Sequence, residues 1–151
     1  MNSEELKERT KIFGLRVIKL YEEISKTRKG EILGNQLLRA ATSVGANYRA
    51  ACRSKSNADF IYKIQVVEEE ADESAFWLEM ISESNIIKRN RLDALLQEAN
   101  ELTAIFTSSS KTAKKKQIGI SDCGFPAQRD RISNLRTEER ILLKYYFIFS
   151  I

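Results

Sequence analysis

The sequence predicts an all-α protein, an antiparallel up-down-up-down four-helix bundle with a C-terminal appendage, and three observations carry that prediction. The single proline is Pro126, so 125 residues run without the strongest helix breaker. Phe60, Ile64, Val67, Ala71, Ser74, Leu78 and Ile81 follow a 4-3-4-3-4-3 spacing, the apolar seam of a left-handed antiparallel bundle. Four amphipathic segments are joined by short connections, which makes sequential helices alternate in direction.

The first segment follows Ser3, a candidate N-cap with Glu4 and Glu5 in the positive first turn. It places Phe13, Val17, Leu20, Tyr21 and Ile24 at helical spacing and ends near Lys26. Thr27 to Gly30 reads as a turn, and the second segment runs from Glu31 to Ser54 with Leu33, Leu37, Leu38, Ala41, Val44 and Tyr48 on one side. Its second half is small: Ala40, Ala41, Ser43, Gly45, Ala46, Ala50 and Ala51 let a neighbouring helix approach backbone to backbone. Ser56 and Asp59 have the capping-box form directly before the apolar seam, so the third helix starts there. After a turn at Asn85 to Asn90, the fourth carries Leu92, Leu95, Leu96, Ala99, Leu102, Ile105 and Phe106 and reaches Lys114. The bundle domain is thus 1–116. The tail, 117–151, holds Gly119, Gly124 and Pro126 and then an apolar cluster around Tyr145 to Phe149 that suits a short helix or an edge strand equally. Docking on the bundle, contact with a partner, and sequence added beyond an ancestral end are its three readings, with docking favoured.

Composition excludes several classes of chemistry. The chain has no histidine, which removes the commonest general base, the usual zinc or iron ligand, and any Ser-His or Cys-His nucleophile pair. Its six glycines form no phosphate-cradling loop. Glu69, Glu70 and Glu73 lack the Glu-x-x-His partner of a di-iron site, so neither a metal nor a cofactor is expected. Cys52 and Cys123 read as reduced thiols of a cytoplasmic protein, and no apolar run is long enough to span a membrane.

Charge points toward polyanions only through its distribution. The total is +4, with 20 basic and 17 acidic residues through Lys116. In an up-down-up-down bundle the first and third connections share an end, which gathers Lys26, Arg28 and Lys29 with Lys88, Arg89 and Arg91. The opposite end collects Arg49, Arg53 and Lys55 with Lys111, Lys114, Lys115 and Lys116. Acid lies between them, at Glu68, Glu69, Glu70, Asp72 and Glu73, so a polyanion is repelled from the waist and drawn to the ends. The competing explanation is that cations at helix C-termini answer the helix dipole. No aromatic residue interleaves with these cations, which argues against base stacking and sequence-specific reading. Glu70 and Glu73 are expected to pair with Arg39 or another cation, Trp77 to serve core or interface, and Ser43 and Asn47 to hydrogen-bond across a helix contact.

Three blocks carry a family resemblance: Gln36 to Asn47 (QLLRAATSVGAN), Ser56-x-Ala58-Asp59-Phe60-Ile61, and Glu70-Ala71-x-Glu73-x-x-x-Trp77-Leu78. In order and spacing they resemble the bacterial four-helix-bundle proteins encoded in intervening sequences of 23S rRNA genes, over Leu6 to Lys116. The accessory variability proteins of diversity-generating retroelements share that bundle. The resemblance implies an all-α fold, a ring-like homo-oligomer of five subunits, no enzymatic activity, and basic surfaces for nucleic acid or a nucleic-acid enzyme. The chain departs from the family pattern at Ala50, where the family shows Glu three residues after the Asn. A contact of that Glu with Arg39 or with another subunit would be weaker or rebuilt here.

Two functional classes follow. The first is a non-enzymatic oligomer that holds RNA or DNA through phosphate contacts from Arg28, Lys29, Lys88, Arg89, Arg91 and the Lys111 to Lys116 run. The second is a structural module that docks a protein through its tail or acidic waist and never touches nucleic acid.

Overall fold

The computed structural model describes residues 2–121, with side-chain surroundings through Lys116. Helix α1 spans Ser3–Ile24, α2 Arg28–Ala51, α3 Asn57–Glu83 and α4 Asp93–Ser121, with a single 3-10 turn at Arg89–Arg91. The four helices form an antiparallel bundle, and no strand occurs among the described residues.

Local chemistry sets each boundary, in places a few residues from the sequence expectation. The cap of α1 is Asn2, not Ser3. Its side chain accepts from the Glu5 amide, while the Glu5 carboxylate accepts from the Asn2 amide, both at 2.9 Å. The second helix begins at Arg28 rather than Glu31, because the Thr27 hydroxyl accepts from the Gly30 amide at 3.1 Å and draws the expected turn into the first helical turn. That tight entry requires glycine: a Cβ on Gly30 would lie 1.9 Å from the Ile24 carbonyl oxygen. At the other end α2 stops at Ala51 instead of Ser54, closed by i→i+3 turns. The Ser56 cap of α3 is as expected, but the Asp59 carboxylate reaches the Lys55 amide rather than that of Ser56. Asn85, just past the Ser84 cap, turns the chain out of α3 in the left-handed region, φ 57°, which Asn tolerates. The fourth helix runs past Lys114 to Ser121, so 117–121, read from sequence as tail, continue it. The apolar cluster at Tyr145 to Phe149, expected to dock on the bundle, and Cys123, expected as a reduced thiol, lie outside the described residues.

The core is one layer of large side chains between the four helices: Phe13 and Val17, Leu37 and Val44, Ile64, Val67, Leu78 and Ile81, Leu92, Leu102 and Phe106, all fully buried. The expected seam of α3 is buried from Ile64 to Ile81, with Phe60 partly buried at its start. Tyr48 and Phe106 close the core, their ring centroids 5.4 Å apart. The small face of α2 admits α1 closely. A Cβ on Gly14 would sit 3.7 Å from the Ala41 carbonyl oxygen, and one on Gly45 3.6 Å from that of Thr10.

Neighbours follow from the cross-helix contacts. Arg39 of α2 meets Glu70 and Glu73 of α3, Thr107 of α4 donates to Glu68 of α3, and Arg9 of α1 grips Glu98 and Glu101 of α4. Helices α1 and α3 therefore occupy diagonal corners.

Candidate nucleic-acid interface

The bundle brings the two predicted cation groups to opposite ends, as its topology demands. Their electrostatic states differ. At the first end, formed by the α1–α2 and α3–α4 connections, most cations already have partners. Arg91 makes a forked ion pair with Glu23, one bond of it at 2.8 Å. Lys29 donates to the Ser84 carbonyl at 2.7 Å, satisfying an orphan acceptor at the C-terminus of α3. Arg28 pairs with Glu31 at 3.1 Å and Arg89 approaches Asp93 at 3.9 Å. Lys26, Lys29 and Lys88 have no ion pair here among the described residues, and of the three only Lys29 has a side-chain hydrogen bond there. The expected six-cation cluster is present as a placement and largely absent as free charge.

The second end is different. Arg49, Arg53, Lys55, Lys111, Lys114, Lys115 and Lys116 are all exposed, and none of their side chains forms an ion pair among the described residues. The Asn57 side-chain amide donates to the Ala113 carbonyl at 3.4 Å, which ties the first turn of α3 to the lysine run. The acids nearby are engaged: Glu4 with Lys7, Glu5 with Asn2, Glu8 with Lys11, and Asp59 with Lys63 and the Lys55 amide. The Asp59 carboxyl is held below the usual carboxylate range, first by its bond from Lys63 and then by the Lys55 amide. Because α4 continues to Ser121, Lys111 to Lys116 lie before its last turn rather than on it. A helix dipole acts only within that last turn, so it does not account for these four lysines.

Between the ends lies the acidic waist. The Arg39 guanidinium pairs with Glu73 and approaches Glu70 at 3.7 Å, and the Trp77 indole donates to Glu73 at 3.1 Å. Glu70 is only 5% exposed, so this network is a partly buried brace between α2 and α3. A Glu at position 50 would not have joined it, since eleven residues of helix separate Ala50 from Arg39 by about 16 Å. Ser43 and Asn47 are half-buried, and neither hydrogen-bonds across a helix contact among the described residues, contrary to expectation. On the far side, Glu98 foremost, with Glu101, holds the Arg9 guanidinium above its ordinary value and permanently charged. Burial, then the Cys52 thiol, pushes the Tyr48 phenol up, which keeps it a neutral core residue. No group of acidic or cysteine side chains suited to a metal ion occurs among the described residues.

Sequence reasoning missed two things: Glu23 and Ser84 as the partners that occupy the first end, and an apolar outer face on α1. The latter had a signal, Ile12, Leu15 and Ile18 three residues apart opposite the core positions.

The model of the 23S rRNA-intervening sequence protein family matches residues 4–108. This chain belongs to that family. A solved structure from Bacteroides thetaiotaomicron, a protein with unknown function from the S23 ribosomal protein family, is 31% identical. It superposes with a TM-score of 0.68 over 74% of this chain and 99% of its own. No curated protein matches the chain. The match of this 23S rRNA-intervening sequence protein includes all three sequence blocks, the Arg39–Glu73–Trp77 brace and the first cation end. It stops before Lys111, so the lysine run of the second end lies outside it. No helix among the described residues is long and apolar enough to cross a membrane.

Proposed function

We propose that this 23S rRNA-intervening sequence protein is a non-enzymatic, homo-oligomeric cytoplasmic accessory protein that holds nucleic acid through the second end of its bundle. The observation that carries the reading is the set Arg49, Arg53, Lys55, Lys111, Lys114, Lys115 and Lys116, exposed and without side-chain ion pairs among the described residues. Unpaired cations neutralise phosphates and release the counterions condensed on the nucleic acid, whereas a cation already bonded to a carboxylate must first give up that bond. Tyr48, next to Arg49, is buried against Phe106, and no aromatic residue interleaves with these cations in sequence, so the binding read here is phosphate contact with little sequence preference. A ring of subunits repeats the basic end around an axis and multiplies these contacts.

The test is fluorescence anisotropy of a labelled structured RNA and of duplex DNA, titrated with the full chain at low and physiological salt. Micromolar or tighter binding that weakens steeply with salt supports the reading. No binding at low salt overturns it and leaves the second reading, a protein-docking module. That reading draws its support from the apolar side chains the bundle leaves in solvent.

A further inference from the structure

The outer face of α4 is unlike those of the other three helices. Every large apolar side chain that stands exposed among the described residues belongs to α1, α2 or α3, and none to α4. The fourth helix instead carries a polar groove of about 560 Å³, lined among others by Thr103, Thr107, Ser108, Lys111, Thr112 and Lys115. Spacings of three and four place these residues on one face, over about 18 Å of helix. The groove runs into the second end of the bundle, where Lys111 and Lys115 form no ion pair among the described residues. The carboxylates beside it are engaged, Glu68 by the Thr107 hydroxyl and Glu101 by Arg9.

The hydroxyl protons of this groove are largely committed. Thr103 donates to the Ala99 carbonyl at 2.9 Å, Thr112 to the Ser108 carbonyl at 2.9 Å, and Thr107 to Glu68 at 2.7 Å. A hydroxyl has one proton and two lone pairs, so toward a ligand these three threonines can only accept. The lysine ammonium groups can only donate. The Ser108 side chain makes no hydrogen bond among the described residues and keeps its proton for an acceptor. A matching ligand therefore combines anionic acceptors for the ammonium groups with hydroxyl donors for the threonines, repeated at short intervals. A DNA backbone offers phosphates and no donor. An RNA backbone adds one 2′-hydroxyl to each nucleotide.

We infer that this groove selects RNA over DNA, with Lys111 and Lys115 holding phosphates while the Thr103 and Thr112 hydroxyl oxygens accept from ribose 2′-hydroxyls. The inference rests on the nucleic-acid reading of the second end and names the species that end takes. The lysines hold either polymer, and the threonines supply the difference. Lys111, Thr112 and Lys115 lie beyond the residues that match the family, so the groove is completed by a part of the chain outside that match.

Hairpins of one sequence, made as RNA, as 2′-fluoro RNA and as DNA, test it by fluorescence anisotropy with the full chain at low and physiological salt. The 2′-fluoro hairpin keeps the A-form helix and lacks the donor, which separates hydrogen bonding from helix shape. RNA should bind about tenfold more tightly than either of the others, the effect of two hydrogen bonds. Thr103→Val and Thr112→Val combined should close that gap by lowering the affinity for RNA, with helical circular dichroism and melting at the wild-type level. Thr112→Ala, at an exposed position where alanine favours the helix, repeats this arm should the double variant melt early. RNA and 2′-fluoro RNA bound alike by the wild type overturns the selection and leaves phosphate binding at the basic end standing. A gap that persists in the threonine variants overturns its assignment to this groove. No binding of any hairpin at low salt overturns the nucleic-acid reading and the inference together.

Discussion

The two ends of the bundle carry similar numbers of cations and are not alike. At the first, Arg28, Lys29 and Arg91 are bonded to Glu31, the Ser84 carbonyl and Glu23, and Arg89 lies 3.9 Å from Asp93. At the second, seven cations stand exposed with no side-chain ion pair among the described residues. A count of basic residues would rank the ends as near equals, but a polyanion responds to the charge that remains after internal pairing. The first end spends its cations on closing helices, and the second presents them.

That contrast can be broken most forcefully by reversing charge at the second end. Lys114, Lys115 and Lys116 changed together to Glu should weaken RNA binding by about a hundredfold at low salt without altering the thermal unfolding of the bundle. The opposite manipulation sharpens it. Glu23→Gln releases Arg91, and if pairing is what silences the first end, affinity should rise by about twofold in the same titration. Lys29→Met tests the structural use of a first-end cation: it should cost about 1 kcal/mol in denaturant unfolding by orphaning the Ser84 carbonyl, and leave RNA affinity unchanged.

The smallest effect concerns pH at the second end. The Asp59 carboxyl lies below its ordinary range, so its stabilising effect is full above the unfolded-state value and is lost as pH falls through the lowered folded-state one. Wild type should therefore melt slightly above Asp59→Asn at neutral pH, with the two melting temperatures converging in acid.

Much of this molecule was legible in its sequence, and the parts that were not share a cause. The α3 seam and the Ser56 cap follow from local spacing, because each depends on residues whose relative positions a helix dictates, and the pairing of Arg39 with Glu73 follows from α2 and α3 being antiparallel neighbours. The start of α2 did not. Thr27 looks like a turn residue until it is known that Gly30 can press against the Ile24 carbonyl, a contact between helices. Likewise the two cation clusters were readable as placements, while their occupancy required knowing that Glu23 comes within reach of Arg91 sixty-eight residues away. The end of α4 lies beyond the expected Lys114, because the apolar spacing that marks the helix stops at Phe106 while the helix itself continues through Gly119 to Ser121.

The most direct test of the difference between the ends is to map where RNA touches the protein. Structured RNA carrying 4-thiouridine would be photocross-linked to the full chain at physiological salt and the modified peptides identified by mass spectrometry. Cross-links concentrated in the peptides that hold Arg49 to Lys55 and Lys111 to Lys116 are the predicted result. Cross-links concentrated instead around Lys26 to Glu31 and Lys88 to Arg91 would contradict it, since the cations already paired would then be the ones that bind.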